Sequence, residues 1–201
     1  MSRIGIMGGT FNPIHNGHIK LAKTAYKQLN LDKVWFMPSK NPPHKKNNNI
    51  ASENHRVNMI KLAIDLYKEF ELSEVELQRD GTTYTVDTLA YLKEMYPDDE
   101  FFFILGADSL INIEQWYKPE VLFSLTHFVV ASRDDVNKSE LYTHCEYLKN
   151  KYTNVNISIL NMDKIKVSST ELRKIYRDYN HKHHNIDSKV YKYIMDNKVY
   201  N

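Results

Sequence analysis

The sequence predicts an α/β protein built on a parallel, doubly wound sheet. Three observations carry that prediction. Apolar runs of strand length alternate with helical stretches along the whole chain. The first run, residues 4–7, passes into Gly8-Gly9 and then into a helix. The run Phe101-Phe102-Phe103-Ile104-Leu105 is apolar at every position, as in a strand covered on both faces, and it too ends at a glycine, Gly106.

The 201 residues suit one domain, 1–201, with a sizeable core. A net charge of +2 is too mild to point to nucleic acid. The single cysteine, Cys145, excludes an intramolecular disulfide framework and a zinc ribbon. No apolar run approaches the roughly 18 residues of a membrane span, and no extended apolar leader precedes strand one. The expectation is a cytoplasmic protein with neither nucleic acid nor membrane as partner. A homo-oligomer is left open.

Taken in order, residues 4–7 read as strand one. Gly8 and Gly9 lack a Cβ, so the backbone can turn there and a ligand can approach it. Thr10 adds a hydroxyl to the N–H groups of the turn, and Phe11 follows. From Gly17 the spacing of Ile19, Ala22, Tyr26 and Leu29 is helical. His15 and His18 therefore stand three apart where a loop enters a helix, on one face. The helix N–H groups and its positive dipole end point the same way. Glycine turn, hydroxyl, two imidazoles and helix N-terminus make an anion site suited to a polyphosphate.

Asp32 closes that helix, and residues 33–37 read as strand two. Residues 38–49, with adjacent prolines and four asparagines, read as an irregular basic loop. Residues 53–70 read as an amphipathic helix, with Val57, Ile60, Ile64 and Tyr67 on one row and Met59, Leu62, Ala63 and Leu66 beside it. His55 and Arg56 receive no chemistry. Residues 72–77 read as strand three. Residues 79–89 carry Gly81 and four threonines and feed a helix that packs through Val86, Leu89 and Ala90.

Gly106-Ala107-Asp108 sits at a strand's carboxyl end, where open α/β sheets bind ligands. Asp108 is either a ligand contact or the next N-cap. Trp116 and Tyr117 are either core or a stacking platform. A helix follows at 121–125, then strand five at 127–131, ending at Ser132-Arg133. A peripheral helix is expected over 134–153 and a last strand over 155–160. Ser168 and Glu171 have capping-box spacing. The helix end they fix offers Ser169, Thr170 and bare N–H groups to an anion, with Arg173 one turn along. His181-Lys182-His183-His184 is not read as a metal site, because adjacent side chains on a helix diverge. No metal ligands are expected. Residues 186–200 form a terminal helix.

The run Gly8-Gly9-Thr10-Phe11-Asn12-Pro13-Ile14-His15-Asn16-Gly17-His18 resembles the G-G-T-F-D-P-x-H-x-G-H signature of the nucleotidyltransferase superfamily. It departs at Asn12, where Asp is usual, and at Ile14, where Pro is common. Val167-Ser168-Ser169-Thr170-Glu171-Leu172-Arg173 resembles the superfamily's I-S-S-T-x-I-R motif, with Val167 and Leu172 as departures. Pro42-Pro43-His44-Lys45 is similar to the P-P-H-K segment of bacterial nicotinate-nucleotide adenylyltransferases. The stretch from Gly81 to Leu89 is similar to their G-x-[ST]-Y-T-x-D-T-L segment.

The resemblance spans essentially the whole chain. It implies a Rossmann-like nucleotidyltransferase fold with C-terminal helices, in which ATP and nicotinate mononucleotide give nicotinate adenine dinucleotide and pyrophosphate, with Mg²⁺ accompanying ATP. It implies catalytic roles for His15, His18, Lys45 and Arg173. ATP would meet Gly8, Gly9, Thr10, Phe11, His15, His18, Gly106, Asp108, Arg133, Ser168, Ser169 and Arg173. Substrate would meet Lys45, Thr83, Tyr84, Thr85, Trp116 and Tyr117, with Trp116 stacked on the pyridine, and with N–H and hydroxyl groups at Thr85 and the backbone amide at Tyr117 facing its carboxylate. Two other readings stay open: a sister transferase for another phosphate acceptor such as phosphopantetheine, and a non-catalytic nucleotide-binding module. The H-x-G-H run is shared with class I aminoacyl-tRNA synthetases, but length and charge leave no room for a tRNA-binding domain.

Overall fold

β1 (Arg3–Gly9), the strand that meets the signature run, lies between β2 (Lys33–Pro38) and β4 (Glu100–Gly106). The structure is a computed structural model and describes residues 1–40, 50–79, 81–131, 138–163, 167–177 and 185–200. With β3 (Phe70–Leu72), β5 (His127–Ala131) and β6 (Ile157–Leu160) the strands form one sheet. Its order is β3-β2-β1-β4-β5-β6, and every pairing is parallel. This is the Rossmann-like order, in which winding reverses between β1 and β4 and opens a crevice beyond their carboxyl ends.

Helices cover both faces. On one face lie α1 (Asn16–Gln28), α2 (Glu53–Ile64), α7 (Ser169–Arg177) and α8 (Ser188–Asp196), packed against Met7, Phe102 and Ile104. On the other lie α3 (Thr85–Met95), α4 (Ala107–Ile111), α5 (Pro119–Leu125) and α6 (Lys138–Lys151), against Ile6, Phe101, Phe103 and Leu105. Consecutive residues of β4 thus serve opposite cores, which is why its sequence is apolar without alternation.

Several expected boundaries move. β1 runs on through both glycines to Gly9. α1 ends at Gln28, not Asp32, whose carboxylate instead accepts the Arg3 backbone N–H at 2.7 Å. α2 stops at Ile64, leaving Leu66 74% exposed. Strand three is residues 70–72 rather than 72–77, because its pairing with β2 uses Phe70, Glu71 and Leu72. α3 packs through Val86, Leu89 and Leu92, while Ala90 is exposed. Arg56, given no role by the pattern, sits in the buried row of α2 with Ile60 four residues on and is 1% exposed.

Candidate active site

The signature loop begins where β1 ends. A Cβ on Gly8 would come within 2.9 Å of the Phe103 ring, and one on Gly9 within 3.3 Å of the Phe11 ring. The glycines therefore admit two aromatic rings. The sharp turn expected of them falls instead at Phe11, with φ of 48°. Beyond it, the loop is held by distant parts of the chain. The Arg56 guanidinium donates to the Thr10 carbonyl at 3.1 Å, and the Ala51 N–H to Asn12 Oδ1 at 3.1 Å. Arg173 donates to the Asn12 carbonyl at 2.7 Å and Ser169 Oγ to the Pro13 carbonyl at 2.9 Å. The Asn16 N–H donates to the Asn185 carbonyl at 3.0 Å.

His15 is the N-cap of α1 in an extended conformation and is buried, and His18 lies one turn inside. Their rings stack with centroids 3.7 Å apart and planes 25° apart. The His15 backbone N–H donates to His18 Nδ1 at 3.2 Å. An amide N–H can only donate, so Nδ1 is the acceptor and neutral His18 carries its proton on Nε2. The Phe11 ring meets His18 edge-on at 5.1 Å. A Cβ at Gly17 would lie 2.9 Å from His15 Nδ1 and 3.0 Å from Val167, so glycine is what lets the His15 ring and the segment leading into α7 close on the start of α1.

Thr83, Tyr84, Thr85, Gln115, Trp116, Tyr117, Lys118 and Leu122 line one cavity of about 420 Å³, within the range of small-molecule pockets. Tyr84 is the N-cap of α3, and its ring packs on Tyr117 at 4.6 Å. Trp116 meets Phe103 edge-on at 6.2 Å, so the ring that covers Gly8 also backs this cavity. Behind it, Glu76 accepts from Thr88 Oγ1, which in turn accepts from Arg79, both at 3.1 Å. Burial pushes the Glu76 carboxyl up to about 6, against the Thr88 hydroxyl and the Arg79 charge.

Gly106 caps α4, so Asp108 is not the N-cap; it is exposed in that helix's first turn. Ser168 Oγ accepts the Glu171 N–H at 3.2 Å, the bond its capping-box spacing predicts. The structure brings His15, His18, Ser169 and Arg173 onto one loop. It gathers Thr83, Tyr84, Thr85, Trp116 and Tyr117 around one cavity. Lys45, Arg133 and residues 181–184 lie outside the described residues. The sequence reading passed over Arg56, Glu76, Gln115, Lys118 and Leu122. For Arg56 a signal existed: it falls in helical register with Ile60 and Ile64. For Glu76 there was none, because its contacts come from α3.

Among the described residues no group of three or more His, Cys, Asp or Glu gathers to hold a metal, and no helix is long and apolar enough to cross a membrane. The donors around the loop are imidazole, hydroxyl, guanidinium and backbone N–H. That set suits a Mg²⁺ that arrives on a triphosphate, held by phosphate and water oxygens, rather than a protein cage.

A parallel sheet of this order, with a histidine pair at the β1–α1 entry, defines a nucleotidyltransferase-type fold, and a family profile described as cytidylyltransferase-like matches residues 6–175. The probable nicotinate-nucleotide adenylyltransferase of Carboxydothermus hydrogenoformans is 42% identical over 199 residues, covering 99% of this chain and 98% of that one. The nicotinate-nucleotide adenylyltransferase of Bacillus subtilis strain 168 is 38% identical over 200 residues, covering 100% and 99%. The chain belongs to the nicotinate-nucleotide adenylyltransferase family. Its fold is shared with a Plasmodium falciparum nicotinic acid mononucleotide adenylyltransferase, seen complexed with APC (TM-score 0.81, 23% identity) and with NaAD (0.77, 24%), over 100% of this chain and 98% of that one.

Proposed function

We propose that this chain transfers the adenylyl group of ATP to nicotinate mononucleotide, giving nicotinate adenine dinucleotide and pyrophosphate, in the cytoplasm. The observation that carries this reading is the cavity. All five described residues assigned to the mononucleotide, Thr83, Tyr84, Thr85, Trp116 and Tyr117, line it together, one ring away from the phosphate loop.

The mononucleotide phosphate attacks the α-phosphorus of ATP. The new oxygen–phosphorus bond forms in line as the bond to pyrophosphate breaks, and no covalent enzyme intermediate is needed. The chain contributes position and charge. His18 donates through Nε2, the nitrogen left protonated by its bond from His15, and His15 stacks beside it. Gly8, Gly9, Thr10 and Phe11 run along the triphosphate. Ser168, Ser169 and Arg173 serve the β- and γ-phosphates at the end of α7. Arg173 gives one amino group to Asn12 and the other to Thr170, and the guanidinium keeps further N–H donors for phosphate. Lys45 adds charge at the phosphates, and Gly106, Asp108 and Arg133 take the adenosine. Mg²⁺ bound to the triphosphate supplies neutralisation of the leaving pyrophosphate.

In the cavity Trp116 stacks on the pyridine, and amides at Thr85 and Tyr117 face its carboxylate. A carboxamide would turn its own NH₂ against those donors and leave them unpaired. Pyrophosphate release with ATP and Mg²⁺ tests this, using nicotinate mononucleotide or nicotinamide mononucleotide as acceptor. Fast release with the acid alone is expected. Comparable release with both voids the roles of Thr85 and Tyr117, and release with neither overturns the reaction.

A further inference from the structure

Arg56 is among the largest fully buried side chains in the molecule, at 1% exposure. Its guanidinium is shared among three backbone carbonyls from three segments: Ala51 at 3.3 Å, Thr10 at 3.1 Å and Ser39 at 2.8 Å. Thr10 follows the end of β1 and Ser39 the end of β2, and the two strand ends are themselves joined by the Ser39 N–H to the Gly9 carbonyl at 2.9 Å. Among the described residues no carboxylate lies within ion-pair distance of it. Burial lowers its pKa, with Glu53 and Tyr200 pulling the other way. A buried guanidinium without a paired anion is costly and poorly suited to mere packing.

Its geometry does something specific. A trans peptide unit is planar, with C=O and N–H on opposite edges. Fixing the Thr10 and Ser39 oxygens on Arg56 turns the N–H groups of Phe11 and Lys40 away from α2. These are the second N–H groups beyond β1 and β2, at the crevice edge of the sheet. A lysine carries the same charge but lacks the planar fork that reaches several carbonyls at once.

We propose that Arg56 is a positioning residue for ATP: it sets the peptide orientation at the ends of β1 and β2 and so shapes the phosphate site without touching the nucleotide. The inference rests on the reading that the β1–α1 turn receives ATP. Calorimetric titration with ATP and Mg²⁺, without acceptor, on wild type, R56K and R56A tests it, alongside steady-state KM values for ATP and for the mononucleotide. A folded R56K is expected to bind ATP about tenfold more weakly, the scale of lost buried hydrogen bonds, while the mononucleotide KM stays nearly unchanged. If R56A folds, guanidinium ion at millimolar concentration restores ATP binding by refilling the cavity. Unchanged ATP affinity in R56K, or equal losses for both substrates, overturns the proposal. Wild type that binds ATP but releases no pyrophosphate fails the reaction while leaving the calorimetric comparison intact.

Discussion

The backbone N–H of His15 donates 3.2 Å to Nδ1 of His18, while the two rings lie stacked at 3.7 Å. The first histidine thereby selects the tautomer of the second and holds its plane. The spacing of three follows from that bond, since an N-cap amide and the third helical side chain are the two partners a helix entry brings together.

His18→Ala removes the Nε2 donor. Turnover is expected to fall by about 10²–10³, the usual scale for one donor to a developing charge, with the melting temperature near wild type. Full turnover in a pyrophosphate-release assay would end the assignment.

Gly17→Ala places a methyl 2.9 Å from the His15 ring and 3.0 Å from Val167. The His15 ring must rotate or Val167, just ahead of α7, must withdraw. Loss of turnover by roughly 10–10²-fold is expected from displaced catalytic groups, larger than the accompanying drop in stability. Stopped-flow turnover and a thermal melt on the same variant separate the two.

Trp116→Ala opens the wall of the cavity and removes the ring that meets Phe103 edge-on. The mononucleotide KM should rise about tenfold, with the ATP KM little changed. An equal rise in both would mean that Phe103 passes the disturbance on to Gly8.

Glu76→Gln tests a titration. The folded carboxyl holds its proton up to about 6, above its ordinary 4.5. The folded state therefore binds more protons than the unfolded one in that interval, so stability declines as pH rises from 4.5 through 6. The decline amounts to about 2 kcal/mol. A glutamine keeps an acceptor for Thr88 and carries no charge. Denaturant melts between pH 4.5 and 7.5 should show the wild-type decline missing from the variant, leaving it more stable at neutral pH. Parallel profiles for the two proteins would refute the shift.

The sheet was legible because β1, β2, β4 and β5 are short apolar runs with glycine or polar ends, and the two helix entries announce themselves through His15 and Ser168. Residues 72–77 misled because Leu72, Val75 and Leu77 are apolar in an imperfect alternation, yet turn bonds from Leu77 and Gln78 to Glu74 take the backbone. The glycines were legible as necessary but not in their purpose, since the Phe103 ring that Gly8 admits is some 95 residues away in sequence. Arg56 was passed over because a charge carries no weight in an apolar helical pattern. Only the arrival of three carbonyls from separate segments makes its burial sensible.

The five hydrogen bonds described above that tie residues 10–16 to distant segments are unequal in one respect. All six strands are complete by Leu160, and the bonds from Arg56 and Ala51 can form once the sheet and α2 are made. Those from Ser169, Arg173 and to Asn185 must wait for the last fifth of the chain. During synthesis, a ribosome that has delivered the whole sheet has delivered a scaffold whose reactive loop is still unfastened. Catalytic competence is then a late event, and a chain cut short near residue 165 would keep its six strands but lack the α7 and α8 side chains that cover one face of the sheet, and would be idle.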